Sequence, residues 1–189
     1  LTVVDTALRM GQTGPDVDVY RWVTQHRGEP WISVARVLTL LGTTIVLTVL
    51  TLVVVLALAA TRRCSTAVLV GVGSVSGYVL MVALKDVFGR ERPPVADRLL
   101  KIDSNSFPSG HAMMTAICFG LFAVSAYYCS AWLRRHAWVL ALAPVLSVLV
   151  GCTRVYLGVH WMTDVLAGWV IGALWVVLCV AAWRRLTRR

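Results

Sequence analysis

The chain has 189 residues, of which 58% are hydrophobic and only 14% charged. With a mean hydropathy of +0.76, this composition excludes a water-soluble globule with a polar shell and points to a membrane protein. The net charge of +9 is not gathered into one stripe, so no nucleic-acid partner is expected. Its excess sits in arginine pairs at alternate ends of apolar segments, the pattern of cytoplasmic loops.

Residues 1–30 mix Asp5, Arg9, Asp16, Asp18, Arg21, Arg27 and Glu29 with Tyr20 and Trp22. They are too polar to span and read as a short interfacial amphipathic segment, with Trp22 and Trp31 at headgroup level. Residues 31–189 read as one transmembrane domain. Its first span is the uncharged run from Val37 to Ala60, whose 24 residues reach about 36 Å. Arg62-Arg63 close it on the cytoplasmic side. A second span covers about 66–84, with a small-residue stretch from Gly71 to Gly77 that suits close helix packing or, on another reading, a lipid-tail groove. After a polar loop at 85–109, a third span starts at Gly110 or His111 and ends near Trp132, before Arg134-Arg135. A fourth runs from Trp138 to Cys152 with a kink expected at Pro144, and a fifth from Asp164 to Trp183, before Arg184-Arg185. The expected fold is all-α, a multi-pass transmembrane bundle with five visible spans. The five cysteines contain no Cys-x-x-Cys pair and are expected as buried, apolar thiols.

By this span count, three polar stretches meet on the outer face: 85–93, 106–111 and 154–164. Lys85, Arg92 and Arg154 bring cations suited to phosphate oxygens. Ser109, Gly110 and the helix start after Pro108 add neutral donors. His111 and His160 can move protons near neutral pH. Asp164 follows His160 by four positions, so on a helix it can hold one imidazole nitrogen and leave the other free as a nucleophile. No Asp/Glu/His cluster suggests a metal, so the cations would take its place. Each residue taken singly has a plainer reading. Lys85 and Arg92 could flank a span, Arg154 could sit on a helix dipole, and Asp164 could be an N-cap. His160 beside Trp161 could be an interfacial pair. Arg90, Arg98 and Lys101 read as solvated or headgroup-facing charges, and His26 and His136 carry no role.

Together these residues resemble the type-2 phosphatidic acid phosphatases, which share their site with vanadium haloperoxidases and glucose-6-phosphatase. The family's first motif, Lys, six residues, Arg-Pro, matches Lys85 to Arg92-Pro93. Its second, Pro-Ser-Gly-His, matches Pro108 to His111. Its third, Ser-Arg, five residues, His, three residues, Asp, appears as Thr153-Arg154, His160 and Asp164. The resemblance covers about residues 31–184. It departs at Thr153, which keeps the hydroxyl, and in span count, since membrane members usually have six. A chain that starts at Leu1 is therefore expected to lack a first helix.

The resemblance implies that His160 attacks phosphorus and becomes phosphohistidine, Asp164 orients it, and His111 protonates the leaving group and then activates water. Lys85, Arg92, Ser109, Gly110 and Arg154 would hold the phosphate, with Thr153 assisting; no metal or cofactor is expected. The expected function is a lipid phosphatase of a plasma membrane, with its site on the extracytoplasmic face and its C-terminus cytoplasmic. Short loops point to a bacterial source. By analogy within the family, a polyprenyl diphosphate carrier is the favoured substrate, ahead of phosphatidylglycerophosphate or phosphatidic acid. A lipid phosphotransferase and a non-catalytic lipid-phosphate binding or transport protein are the other classes. Bilayer lipids are the remaining partners, and the sequence does not specify an oligomeric state.

Overall fold

The computed structural model describes residues 14–187, and these form helices and connecting loops without strands. The helices are α1 (Pro15–His26), α2 (Trp31–Thr39), α3 (Thr44–Ala60), α4 (Cys64–Phe88), α5 (Gly110–Cys129), α6 (Ala131–Arg135), α7 (Leu142–Tyr156) and α8 (Met162–Thr187). Short 3-10 turns lie at Leu40–Gly42, Val95–Asp97 and Ala137–Ala141. α4, α5, α8 and the segment Ala137–Tyr156 are each long and apolar enough to cross a bilayer; α2 and α3 together make a fifth, bent by 46°. Residues 1–13 of the expected interfacial segment lie outside the described residues.

α5 is the axis of the bundle. It packs against α4, α7 and α8, and its Met113, Ile117 and Leu121 have no exposure at all. Two glycine pairs let the neighbours approach it. Gly168 and Gly172 of α8 lie against α5, where a Cβ on Gly172 would stand 2.7 Å from the Met113 carbonyl oxygen. On α4, Gly73 and Gly77 face Leu121 and Ile117 of α5. Close backbone approach of this kind replaces the hydrophobic drive that is missing between helices in lipid. Outward-facing Ile45, Val72, Val170 and Leu178 stay exposed because their surroundings are acyl chains.

Four features depart from expectation. The first span is not continuous. Thr43 leaves the helical region (ψ 147°) and its Oγ1 accepts from Val46 N, which starts α3 afresh. Hydropathy does not register a cap formed by an uncharged threonine. Pro144 does not kink a helix; it sits in the first turn of α7, where an N–H has no intrahelical partner to lose. All five thiols are free, but only Cys118 is buried, and Cys64 and Cys152 are exposed. An apolar position can face lipid as readily as protein. Finally, Arg90 is not solvated but 4% exposed, for a reason that lies in the site.

α1 lies across the ends of α7 and α8. Tyr20 Oη donates to Asp97 at 2.7 Å, and its ring lies 5.6 Å from that of Trp161. Burial, then the hydrogen bond to Asp97, raises the Tyr20 pKa. Trp22 on the opposite face is 63% exposed.

Candidate active site

The site forms where the ends of α4 and α7 meet the beginnings of α5 and α8. Gly89 caps α4 in the left-handed region (φ 55°), with its N–H on the Lys85 carbonyl. That conformation favours glycine. It turns the chain so that Arg90 and Arg92 point back into the bundle. Lys85 Nζ donates to the carbonyl of Asn105 at 2.6 Å, and Asn105 Nδ2 donates to that of Lys85 at 3.0 Å. Arg92 is held by the same loop, with Nε on the Ser104 carbonyl at 2.6 Å and Nη2 on the Asn105 carbonyl at 3.2 Å. Its Nη1 reaches the Val159 carbonyl at 2.6 Å and His160 Nε2 at 3.0 Å. A buried mini-core of Ala35, Leu157 and Val159, packed against Leu99, Leu100 and Ile102, supports this loop.

His160 sits in the short connection between α7 and α8, 2% exposed. A guanidinium can only donate, so Nε2 accepts from Arg92 and the ring proton belongs on Nδ1. Nδ1 in turn faces Asp164 Oδ2 and Ser106 Oγ, each at 3.4 Å. Asp164, fully buried in the first turn of α8, also accepts from Ser106 Oγ at 2.5 Å and from the Trp161 N–H at 3.0 Å. It therefore caps its own helix and faces the histidine at once. Burial, then the charges of Arg92, Arg154 and Lys85, holds the His160 imidazole well below the usual histidine range. Burial also lowers Arg92 to about 10, which leaves it charged at neutral pH.

A cavity of about 890 Å³ opens on these groups and is lined by Lys85, Arg92, Gly110, His111, Arg154 and His160. The break after α2 contributes to it twice. Thr39, at the end of α2, accepts from Arg154 Nη1 at 2.7 Å. Gly42 leaves room for His111, since a Cβ there would stand 2.7 Å from Cδ2 of that ring. Ser109 starts α5 without a side-chain cap. Its N–H donates to the Asp164 carbonyl at 3.0 Å, and its buried Oγ has no partner, nor has Arg154 Nε. Thr153 does not line the cavity; its Oγ1 is used on the Val150 carbonyl at 2.6 Å. Among the described residues no group of three or more His, Cys, Asp or Glu is placed to hold a metal ion.

The geometry thus gathers a neutral imidazole backed by a carboxylate, a second imidazole and three cations at one cavity. The family model described as the PAP2 superfamily matches residues 38–188. The chain belongs to the PAP2 superfamily. Phosphatidylglycerophosphatase B of Bacillus subtilis is 42% identical over 97 residues, which are 51% of this chain and 47% of that protein. Undecaprenyl-diphosphatase of Sulfolobus acidocaldarius is 39% identical over 71 residues, 38% of this chain and 30% of that protein. These alignments thus take in less than half of either relative. The crystal structure of a transmembrane PAP2 type phosphatidylglycerolphosphate phosphatase from Bacillus subtilis superposes with a TM-score of 0.88 at 27% identity, over 96% of this chain and 92% of that one. The PAP2 fold is therefore shared over nearly the whole chain.

Sequence reasoning missed several groups. Arg90 bonds to Asp164 and is itself held by Asp16 and Thr163, Ser106 bonds to Asp164, and Thr39 holds Arg154. The burial of Arg90 had one legible signal, its place only two residues before Arg92 just after the α4 cap. Asp16 and Thr39 had none, because their partners are distant in sequence.

Proposed function

We propose that this protein hydrolyses a phosphate or diphosphate monoester of a membrane lipid through a phosphohistidine at His160. The observation that carries this reading is the orientation of His160, with Nδ1 on Asp164 and Nε2 among the cations of the cavity. In the first step the Nε2 lone pair attacks phosphorus, the bond from phosphorus to the lipid oxygen breaks, and His111, which takes up a proton when the anionic phosphate binds, gives it to that oxygen. The charge left on His160 is met by Asp164. In the second step neutral His111 takes a proton from water, the water oxygen attacks phosphorus, and the phosphorus–nitrogen bond breaks to release phosphate. Lys85, Arg92 and Arg154 balance the charge on the phosphoryl oxygens, with donors from the Gly110 turn and Ser109 Oγ. Thr153, whose hydroxyl is engaged elsewhere, supports the Arg154 turn instead.

The cavity continues between α3 and α4 past Leu47, Thr51, Val55, Val75 and Gly71. Gly71 and Lys85 are separated by about 21 Å along α4, more than the depth of one hydrocarbon leaflet, about 15 Å. That length supports a long-tailed lipid lying with its phosphate at the cations. A polyprenyl diphosphate stays the favoured substrate by family analogy, and phosphatidylglycerophosphate, the substrate in the name of the Bacillus subtilis relative, is the alternative. The arginine pairs at the opposite ends of the spans support an extracytoplasmic site.

The test is phosphate release by purified protein in detergent containing EDTA. Phosphatidylglycerophosphate, phosphatidic acid and polyprenyl diphosphate would be compared by kcat/KM. Release should persist in EDTA and fall roughly 10³-fold or more in His160→Ala. Near-normal release by that variant would remove the nucleophile, and loss in EDTA restored by metal would refute the metal-free site.

A further inference from the structure

Asp164 is enclosed by protein on both oxygens. Oδ2 takes Ser106, the Trp161 N–H and His160. Oδ1 takes Arg90 Nη1 at 2.5 Å. Arg90 has two further bonds, from Nη1 to Thr163 Oγ1 at 2.8 Å and from Nη2 to Asp16 Oδ2 at 2.7 Å. Asp16 closes the group, since its Oδ1 accepts from the Thr163 N–H at 2.9 Å. Arg90, Asp16 and Asp164 are 4%, 1% and 0% exposed.

An ionised carboxylate that is fully buried is costly unless it is paired and hydrogen-bonded. Arg90 is the only guanidinium within ion-pair distance of Asp164 among the described residues. Arg92 and Lys85 are spent on His160 and on loop carbonyls. The planar fork reaches two carboxylates from one rigid group, which an ammonium cannot do. With Oδ1 tied to Arg90, the carboxylate cannot turn, and Oδ2 is presented to His160 Nδ1.

We propose that Arg90, anchored by Asp16 of α1, is a positioning residue for the reaction: it fixes the orientation of the Asp164 carboxylate so that His160 carries its proton on Nδ1 and its lone pair on Nε2. The inference rests on the phosphatase reading for its consequence in turnover, but not for its effect on the tautomer. It also makes α1 a part of the working site, because Asp16 belongs to that helix and to no transmembrane span.

The test joins a spectroscopic and a kinetic readout. In ¹⁵N-histidine NMR of the protein in detergent micelles, His160 is identified by loss of its signals in His160→Gln. Wild type should show the Nδ1–H form, and Arg90→Gln should shift the ring toward the other tautomer or a mixture. In turnover, Arg90→Gln should lower kcat about 10- to 100-fold with KM within about twofold. Arg90→Lys, which keeps the charge but cannot hold Asp164 and Asp16 at once, should restore the Nδ1–H form only in part and leave kcat between those of wild type and Arg90→Gln. Made on top of Asp164→Asn, Arg90→Gln should cost less than about twofold more, since the contact it acts through is already gone. An unchanged tautomer in Arg90→Gln, or the same loss of kcat in both backgrounds, would overturn the proposal. If Arg90→Gln does not survive purification, Asp16→Asn must show a smaller shift of the same sign, and none would be equally fatal. Absence of phosphate release by wild type would sink the proposed function alone, while the NMR comparison still decides the role of Arg90.

Discussion

His160 lacks a charge for the same reason that it is useful. Burial and three neighbouring cations disfavour the imidazolium, so the Nε2 lone pair is available at neutral pH. The sign follows directly. A histidine whose pKa is lowered stays neutral as pH falls through the ordinary value of about 6.5. In the absence of substrate, the His160 ring signals should therefore not titrate between about pH 7.5 and about pH 5.5. A midpoint near 6.5 would contradict the buried, cation-facing environment. Arg154 is the second residue on which the proposed function turns. It is 1% exposed, with one contact to Thr39 and Nε without a protein partner, so its remaining donors suit phosphoryl oxygens. Arg154→Lys keeps the charge and loses the fork, and kcat/KM should fall about tenfold or more. Wild-type kinetics would take Arg154 out of the phosphate shell.

Among the elements, the bent first span carries the least expected role. Its interruption at residues 40–43 brings Thr39 to Arg154 and opens the space beside His111. A straight helix would present a side chain where Gly42 stands. Gly42→Ala should push the His111 ring or Val150 aside, because the new methyl would lie 2.7 Å from one and 2.6 Å from the other. Turnover should drop about tenfold, with a stability loss of about 1–3 kcal/mol. Unaltered kcat would show that the break does not shape the site. The small-residue stretch of α4 divides between two uses by helix face. Gly73 and Gly77 pack on α5, while Gly71, Ser74 and Val75 border the cavity. The two readings of that stretch were alternatives in the sequence because a run of small residues does not say which face meets a neighbour.

At the scale of the whole molecule, a bundle axis of one buried helix leaves room for the cavity between α3 and α4, the proposed tail groove. Gly71 has only Val55 nearby, at 3.7 Å, so a bulky side chain there would enter the groove. Gly71→Trp should lower kcat/KM for a long-tailed lipid phosphate roughly tenfold and leave a short-chain analogue within about twofold. Equal losses on both would place the tail elsewhere. The connecting loops work with the bundle, since residues 98–109 lie over the mini-core at Leu157 and Val159 and hold Lys85 and Arg92 through backbone carbonyls.

The residues alone carry whatever local chemistry encodes. Apolar length defined the spans, arginine pairs marked their ends, and motif spacing named Lys85, Arg92, His111, Arg154, His160 and Asp164. The pairing of His160 with Asp164 was legible from their four-residue spacing, although it is the turn leading into α8, not a helical turn, that brings them together. The remainder depends on contacts between segments far apart in the chain. Arg90 read as a surface charge because its partners, Asp16 and Asp164, are each 74 residues away, and no local pattern announces a buried pair at that separation. Thr153 read as a phosphate ligand from its motif position, yet its hydroxyl turns to Val150. The bend after Thr39 was hidden because hydropathy measures whether a residue tolerates lipid, not whether the backbone leaves the helix. Contacts between distant segments depend on how helices cross, and that is set by side-chain packing across the whole bundle.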